Sequence, residues 1–379
     1  MKLDSRGRRL WSPEEEGQII ALWSEGNSQA DIAAKLDSTA KAIDHKLRQL
    51  RDKKKVGFRE AKKIPIKNKD LDELKTENIK LKRYVGICDK LKKIIPFKIH
   101  RDLSINKSES TAILQLADWH AEEEVNPYTI NELNRYNLDI FSYRATQTSQ
   151  RTLKLIEMFQ KDTIIKKLVI QLGGDFITGN IHEENLENCQ LRPTQAVYLA
   201  FQHIQSSIEF FLNNSKLDIV VVCNMGNHPR ITKQVRYATE AGNSLEYLMY
   251  KVLEDKYKND KRINFIVSEG YFTYINIYGL LFRFSHGHKV KYGGGIGGVL
   301  IPLKKAIGEW NKGKQADVDV LNHFHTSLFT HRIIINGSLI GYNAFALGNK
   351  FEYEQPQQNL FLTHKTKGLT IFSPIYYDK

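Results

Sequence analysis

An α/β domain, preceded by a small all-α module and a basic helical linker, is the fold this sequence predicts. Three observations predict it. After residue 108, five apolar stretches (TAILQLADWH, KKLVIQLGGD, LDIVVVCNMGNH, LLFRFSHGH and ADVDVLNHFH) each read as a strand that ends abruptly in Asp, Asn or His. Helical stretches such as PTQAVYLAFQHIQSSIEFFL and SLEYLMYKVLEDKYK separate several of them, the pattern of crossover connections in a sheet. Near the start, Ser12-Pro13-Glu14-Glu15 and Ser28-Gln29-Ala30-Asp31 both have the form of a capped helix start.

Composition sets the limits. A chain of 379 residues, 41% hydrophobic and 26% charged, is globular in class and long enough for a large core plus a smaller module. The expected organisation is a helix-turn-helix module over 1–52, a basic linker over 53–107 with a candidate coiled-coil helix at 71–95, and a catalytic domain over 108–379. No stretch approaches the roughly 18 to 20 unbroken apolar residues of a membrane span, and MKLDSRGRRLW lacks the apolar run of a signal peptide. A cytoplasmic protein with no membrane partner is therefore expected. Cys88, Cys189 and Cys223 are far apart and lack CxxC spacing, which gives neither a disulfide framework nor a thiolate zinc site. A metal in this chain must use His, Asp and Asn.

The first fifty residues read as three short helices. The first carries Ile19, Ile20, Leu22 and Trp23, and SEGNS breaks it. The second carries Ile32, Ala33 and Leu36. The third turns Ala42, Ile43, Leu47 and Leu50 inward, and its other face bears Lys41, His45, Lys46, Arg48 and Arg51. The module resembles the Myb-like helix-turn-helix group, which implies that the last helix enters a DNA major groove and that these five residues contact nucleic acid. A three-helix module that binds protein is the alternative, since residues 1–50 hold eight Lys/Arg against eight Asp/Glu.

Of the net charge of +13, +11 lies in residues 51–107, which hold nineteen Lys/Arg against eight Asp/Glu. The stretch RDKKKVGFREAKKIPIKNKD, with Lys53, Lys54 and Lys55, cannot bury a core and suits contact with phosphates, although a solvated linker has the same composition. From 71 to 95 a heptad places Leu71, Asn78, Val85 and Lys92 at one seam position and Leu74, Leu81, Cys88 and Ile95 at the other, before Pro96 stops it. A parallel homodimer and a simple amphipathic helix are both compatible with that pattern.

The strand ends of the larger domain carry the chemistry. Ligands collect outside the carboxyl ends of strands in sheets with helical crossovers, so Asp118 and His120, Asp175, Asn227 and His228, His286, His323 and His325 should converge. The pairs Asp118/His120 and His323/His325 are spaced by two and can point the same way from an extended segment. Carboxylates, imidazoles and an amide oxygen suit two borderline divalent ions better than magnesium, which prefers oxygen ligands and water. Manganese is favoured, with iron, zinc and nickel as alternatives.

In order, ADWH, GGDFITG, MGNH, FSHG and NHFH match the signature of the calcineurin-like metallophosphoesterase superfamily, which includes the Mre11/SbcD-type nucleases, and the chain resembles that superfamily over roughly 118–325. The resemblance implies a double β-sheet sandwich flanked by helices, with Asp175 bridging two metals. It implies Asp118, His120 and His325 on one ion and Asn227, His286 and His323 on the other. His228 would lie outside the ligand set and face the substrate phosphate as a catalytic group, with Arg230 placed to contact a phosphate or to form an ordinary surface ion pair. His182, His288 and the KYGGGIGG turn are candidates to line a substrate groove. Two departures stand out: Pro229 replaces the acid that follows GNH in many relatives and can orient the histidine, and Asn322 replaces the glycine of the last motif. Asn is the residue that next best tolerates a left-handed backbone, so the turn is expected to survive.

The resulting expectation is a two-metal phosphoesterase cleaving phosphodiesters, with nucleic acid as substrate and DNA favoured over RNA. The alternatives are a small-molecule phosphatase or nucleotide phosphodiesterase with an N-terminal assembly module, and a DNA-binding regulator with an inactive esterase domain.

Overall fold

The computed structural model describes residues 2–3, 9–53, 55–57, 68–92, 108–181, 183–292 and 298–377. Lys54, His182 and most of the KYGGGIGG turn lie outside the described residues, as does Ile95 of the heptad. The chain forms two compact units, 1–101 and 102–379.

In the first unit, β1 (Lys2–Leu3) pairs antiparallel with β2 (Arg9–Leu10), and α1 (Pro13–Ser24), α2 (Gln29–Lys35), α3 (Ala40–Asp52) and α4 (Asn68–Lys92) follow. Both capping boxes form. Ser12 Oγ accepts from Glu15 N at 3.2 Å while Ser12 N donates to Glu15 Oε2 at 2.8 Å, and Ser28 and Asp31 repeat the exchange. Ile19, Ile32, Ala33, Ile43, Leu47 and Leu50 make the small core.

Lys46 corrects one expectation: it is not on the outward face of α3 but buried, ion-paired with Glu16 of α1. The pairing holds the Glu16 carboxyl below its ordinary range. The Arg51 guanidinium lies over the Trp23 ring at 5.2 Å, and Arg48 pairs with Asp44 at 2.9 Å. Lys41, His45, Arg48, Lys53 and Lys55 are exposed. Along α4, Leu74, Ile79, Leu81, Tyr84 and Val85 are exposed. No helix among the described residues is long and apolar enough to cross a membrane.

Among its described residues the second unit has eleven strands: β3 (Glu109–Leu116), β4 (Ile164–Leu172), β5 (Asp218–Cys223), β6 (Ile263–Val267), β7 (Thr273–Ile277), β8 (Leu280–Phe284), β9 (Val318–Leu321), β10 (Leu328–Phe329), β11 (Ile333–Ile335), β12 (Gln357–His364) and β13 (Gly368–Tyr376). Its helices are α5 (Leu138–Phe159), α6 (Glu183–Asn188), α7 (Pro193–Asn214), α8 (Leu245–Tyr257), α9 (Leu300–Trp310) and α10 (Ala344–Gly348). One sheet has the order β13-β12-β3-β4-β5-β6, the other β10-β11-β9-β8-β7. Strands β3 to β6 run parallel, as do β8, β9 and β11, and residues 332–379 supply three strands, two of them antiparallel additions to the larger sheet.

Alternation along β3 explains the layering. Ala112, Leu114 and Leu116 join the core formed with α5, α7 and α8, whereas Ile113 joins Val169, Val222, Phe282, Phe284, Val318, Val320 and Phe361 in a second core drawn from both sheets. Full burial of each such side chain contributes about 1.5–3 kcal/mol, enough for the apolar faces to fix strand register. Towards the carboxyl ends this apolar layer gives way to buried amides. Asn359 Nδ2 donates to Gln115 Oε1 at 3.3 Å, Gln115 Nε2 to Gln171 Oε1 at 3.1 Å, and Gln171 Nε2 to Asn224 Oδ1 at 3.3 Å. That ladder crosses β12, β3 and β4 to the end of β5, and Gln115 also reaches Leu321 O of the other sheet at 3.0 Å.

Candidate metal centre

The polar strand ends meet. Asp118 and His120 follow β3, Asp175 follows β4, Asn227 and His228 follow β5, His286 follows β8, and His323 and His325 follow β9. Backbone bonds tie these loops together: Asp118 N donates to Gly174 O at 2.9 Å, Trp119 N to Asp175 O at 2.9 Å, and Asn322 N to His286 O at 2.8 Å. Potential ligand atoms of Asp118, His120 and His325 lie within 4.8 Å of one another. So do those of Asp175, His286 and His323, and those of His120, Asp175 and His228.

Backbone strain is concentrated on these residues. Asp118 (φ 53°), His120 (47°), Asp175 (53°), His323 (77°) and His325 (50°) are all left-handed, a conformation that costs a non-glycine residue on the order of 1–3 kcal/mol and persists only where the surroundings impose it. The expected left-handed Asn322 is corrected: the turn places its left-handed residues at His323 and His325. Asn322 is instead fully buried, with Nδ2 directed at Gly173 O (3.4 Å) and Ser285 O (3.3 Å). It occupies the space over Gly173, where a Cβ would lie 2.3 Å from Asn322 Nδ2.

Close approach of loops explains two glycines. A Cβ on Gly226 would lie 2.0 Å from Asp175 Oδ1, and one on left-handed Gly174 (φ +92°) would lie 2.3 Å from Gly226 N. Gly226→Ala is therefore expected to lower stability by about 1–3 kcal/mol through overpacking and to weaken metal binding, since the Asp175 carboxylate must move. Thermal melting and a manganese titration check this; an unchanged melt would contradict the packing.

Three buried atoms in the cluster, Asp118 Oδ1, His120 Nε2 and Asn227 Oδ1, have no hydrogen-bond partner among the described residues. Each such orphan costs about 1–3 kcal/mol unless something binds it. Burial depresses the basicity of His120 and His323 well below the ordinary imidazole range and brings His325 down to about 4, so all three offer neutral nitrogens, the form a cation requires. Burial pushes Asp118 up to about 7, with nearby Asp175 adding to the rise. Against its own burial, Asp175 is held well below the usual carboxylate range by His286 (Nε2 to Oδ2, 2.9 Å) and His228. A set of orphaned oxygens and neutral nitrogens fits divalent cations, which makes this cluster a candidate metal site.

Hydrogen bonds aim the histidines. His286 Nδ1 is 2.8 Å from Gly173 O, and His228 Nδ1 is 2.9 Å from Thr178 O, so each ring donates from Nδ1 and presents Nε2 to the cluster. Thr178 thus serves where the acid missing at Pro229 was expected. His228 N also donates to Asp175 Oδ1 at 2.8 Å. Arg230 forms no ion pair among the described residues: its guanidinium donates to the carbonyls of Asn227, Thr232 and Lys233 and shapes its own loop. His288 is buried behind His286, ring centroids 5.5 Å apart, with Nε2 2.8 Å from Glu240 Oε1.

Two buried glutamates, Glu122 and Glu246, and the half-buried Glu123 carry no local signal in the sequence. Glu246 accepts from Phe176 N at 2.7 Å and Gly226 N at 2.9 Å, clamping the Asp175 loop to the Asn227 loop. Glu122 accepts from Thr178 N at 3.0 Å and Gly179 N at 2.7 Å, and burial raises its carboxyl to about 7. Glu123 accepts from Asn343 and from Thr178, the residue that aims His228. AEEEV and NSLEY resemble solvated surface sequence, and nothing local marks these carboxylates.

No family model matches the chain, and no curated protein matches it. Similar solved structures include a conserved uncharacterized protein and predicted phosphoesterase from Streptococcus pneumoniae, 8% identical over 71% of this chain and 98% of that one, TM-score 0.29. Wild-type Vps29 complexed with zinc from Entamoeba histolytica is 9% identical over 70% of this chain and 99% of its own, TM-score 0.26. A hypothetical protein from Pyrococcus horikoshii is 11% identical over 71% and 89%, TM-score 0.34. Likenesses this distant carry no weight beside the donor set itself.

Proposed function

We propose that this protein is a two-metal phosphoesterase of the calcineurin-like kind that cleaves phosphodiester bonds in nucleic acid, DNA in preference to RNA. The observation that carries the reading is the grouping of Asp118, His120 and His325 beside Asp175, His286 and His323, with three buried ligand atoms that lack a hydrogen-bond partner among the described residues. Asp118, His120 and His325 would hold one ion; Asn227, His286 and His323 the other; Asp175 would serve both. Two bound divalent ions, manganese for preference, lower the pKa of water, orient phosphoryl oxygens and offset the charge that builds in an in-line displacement.

The chain's own groups supply the rest. With Nδ1 fixed on Thr178 O, His228 can hold a proton at Nε2 and deliver it to the leaving oxygen. Nucleic acid as substrate is supported by the segments that follow two of the site's strand ends: Lys233 and Arg236 after His228, and Lys291 after His286, are exposed, exposed Tyr237 lies with its ring centroid 5.5 Å from Lys289 Nζ, and Lys289 pairs with Glu240 at 2.9 Å. Cations beside an exposed aromatic ring suit phosphates and unstacked bases. The basic residues of 51–107 and the exposed Lys41, His45, Arg48, Lys53 and Lys55 add phosphate contacts in this reading, and the exposed seam of α4 (Leu74, Leu81, Val85) would pair with a second copy.

The test incubates the intact protein and manganese with labelled single- and double-stranded DNA, RNA and a nitrophenyl diester, alongside binding across a salt series with calcium in place of manganese. The expected result is cleavage of DNA and of the diester, with affinity for DNA falling steeply with salt, each phosphate contact adding roughly 0.9 to the slope of log K against log salt on duplex. Diester cleavage without DNA binding would leave the small-molecule phosphoesterase in its place.

A further inference from the structure

Thr178 touches two of the site's histidines by two different routes. Its carbonyl accepts from His228 Nδ1 at 2.9 Å. Its hydroxyl donates to Glu123 Oε2 at 3.0 Å, so its one proton is committed, and toward His120 Nδ1, 2.9 Å away, the same oxygen can only accept. The direction of the chain follows: His120 Nδ1–H donates to Thr178 Oγ1, and Thr178 Oγ1–H donates to Glu123. Asn343 Nδ2, a donor only, bonds the other Glu123 oxygen at 2.8 Å. The proton on His120 is thereby held at Nδ1 and the lone pair at Nε2, the buried atom without a partner in the cluster. Glu122 grips the amides of Thr178 and Gly179 from behind, and Thr178 is 2% exposed.

We infer that Thr178 and Glu123 are positioning residues forming a hydroxyl-bridged carboxylate–histidine relay that sets the affinity of His120 for a divalent cation, while the Thr178 carbonyl independently keys His228. Groups behind a ligating histidine fix its tautomer and raise its basicity, and their loss typically weakens metal binding by about 10- to 100-fold. This inference rests on the metal-centre reading above. Because one route is side chain and the other backbone, a side-chain change separates them.

The experiment titrates manganese into full-length wild type, Thr178→Val, Thr178→Ser, Glu123→Gln and the Thr178→Val/Glu123→Gln double variant, following bound ion by calorimetry and folding by thermal melting. Valine keeps the shape and the carbonyl but loses the hydroxyl. One ion is expected to bind about 10- to 100-fold more weakly in Thr178→Val and in Glu123→Gln, with serine restoring it to within about threefold of wild type. The double variant is expected to lose no more than the larger single loss, since both changes cut one chain. Wild-type affinity in Thr178→Val, or a loss that serine does not rescue, overturns the relay and leaves the metal centre standing. A wild type that binds no manganese overturns both.

Discussion

Asp175→Asn is expected to abolish hydrolysis, with turnover falling by on the order of 10³-fold or more, and to leave fewer than two ions per chain. Asp175 belongs to two of the ligand groupings, and its two oxygens face different partners: Oδ1 accepts from His228 N, and Oδ2 stands 2.9 Å from His286 Nε2. Asparagine is nearly isosteric but neutral, and its amide group must turn a donor toward one of these neighbours. The loss therefore reports charge at the point shared by both donor groups rather than packing. Ion counting and turnover on the same preparation check it; wild-type activity would remove the two-metal reading.

His228→Ala should separate chemistry from metal holding. Its ring belongs to the cluster with His120 and Asp175, centroid 4.8 Å from His120, yet its Nδ1 is tied to Thr178 O and its backbone N already supports Asp175. The backbone bond survives the substitution. Both ions are expected to remain while turnover falls by on the order of 10²- to 10⁴-fold, the usual worth of one acid-base group. Loss of an ion in this variant would make His228 a ligand.

What the sequence revealed and what it concealed divide by range. Helix caps at Ser12 and Ser28 depend on residues three positions apart, and the five strand ends depend on an apolar run meeting one polar residue; both are local patterns. The position of Lys46 depends on Glu16, thirty residues away on another helix, so a charge periodicity that looked outward pointed inward. Asn322 was read by its backbone tolerance, but its place follows from the space over Gly173 and the donors it turns to Gly173 O and Ser285 O. The amide ladder from Asn359 to Asn224 runs through Gln115 and Gln171, each a lone polar letter in an apolar run. Glu122 and Glu246 act on backbone amides twenty to seventy residues distant, Glu123 acts on the side chains of Thr178 and Asn343, and Thr178 is an unremarkable letter in GGDFITG until His120 and His228 are seen on either side of it.

The central claim is that one buried cluster holds two divalent ions that share Asp175. Electron paramagnetic resonance of the intact protein titrated with manganese tests it most directly. Two equivalents are expected to bind, and the second should convert the signal of an isolated ion into that of a magnetically coupled pair. In Asp175→Asn the coupled signal should be absent. Saturation at one equivalent, or two ions without coupling, would contradict the account.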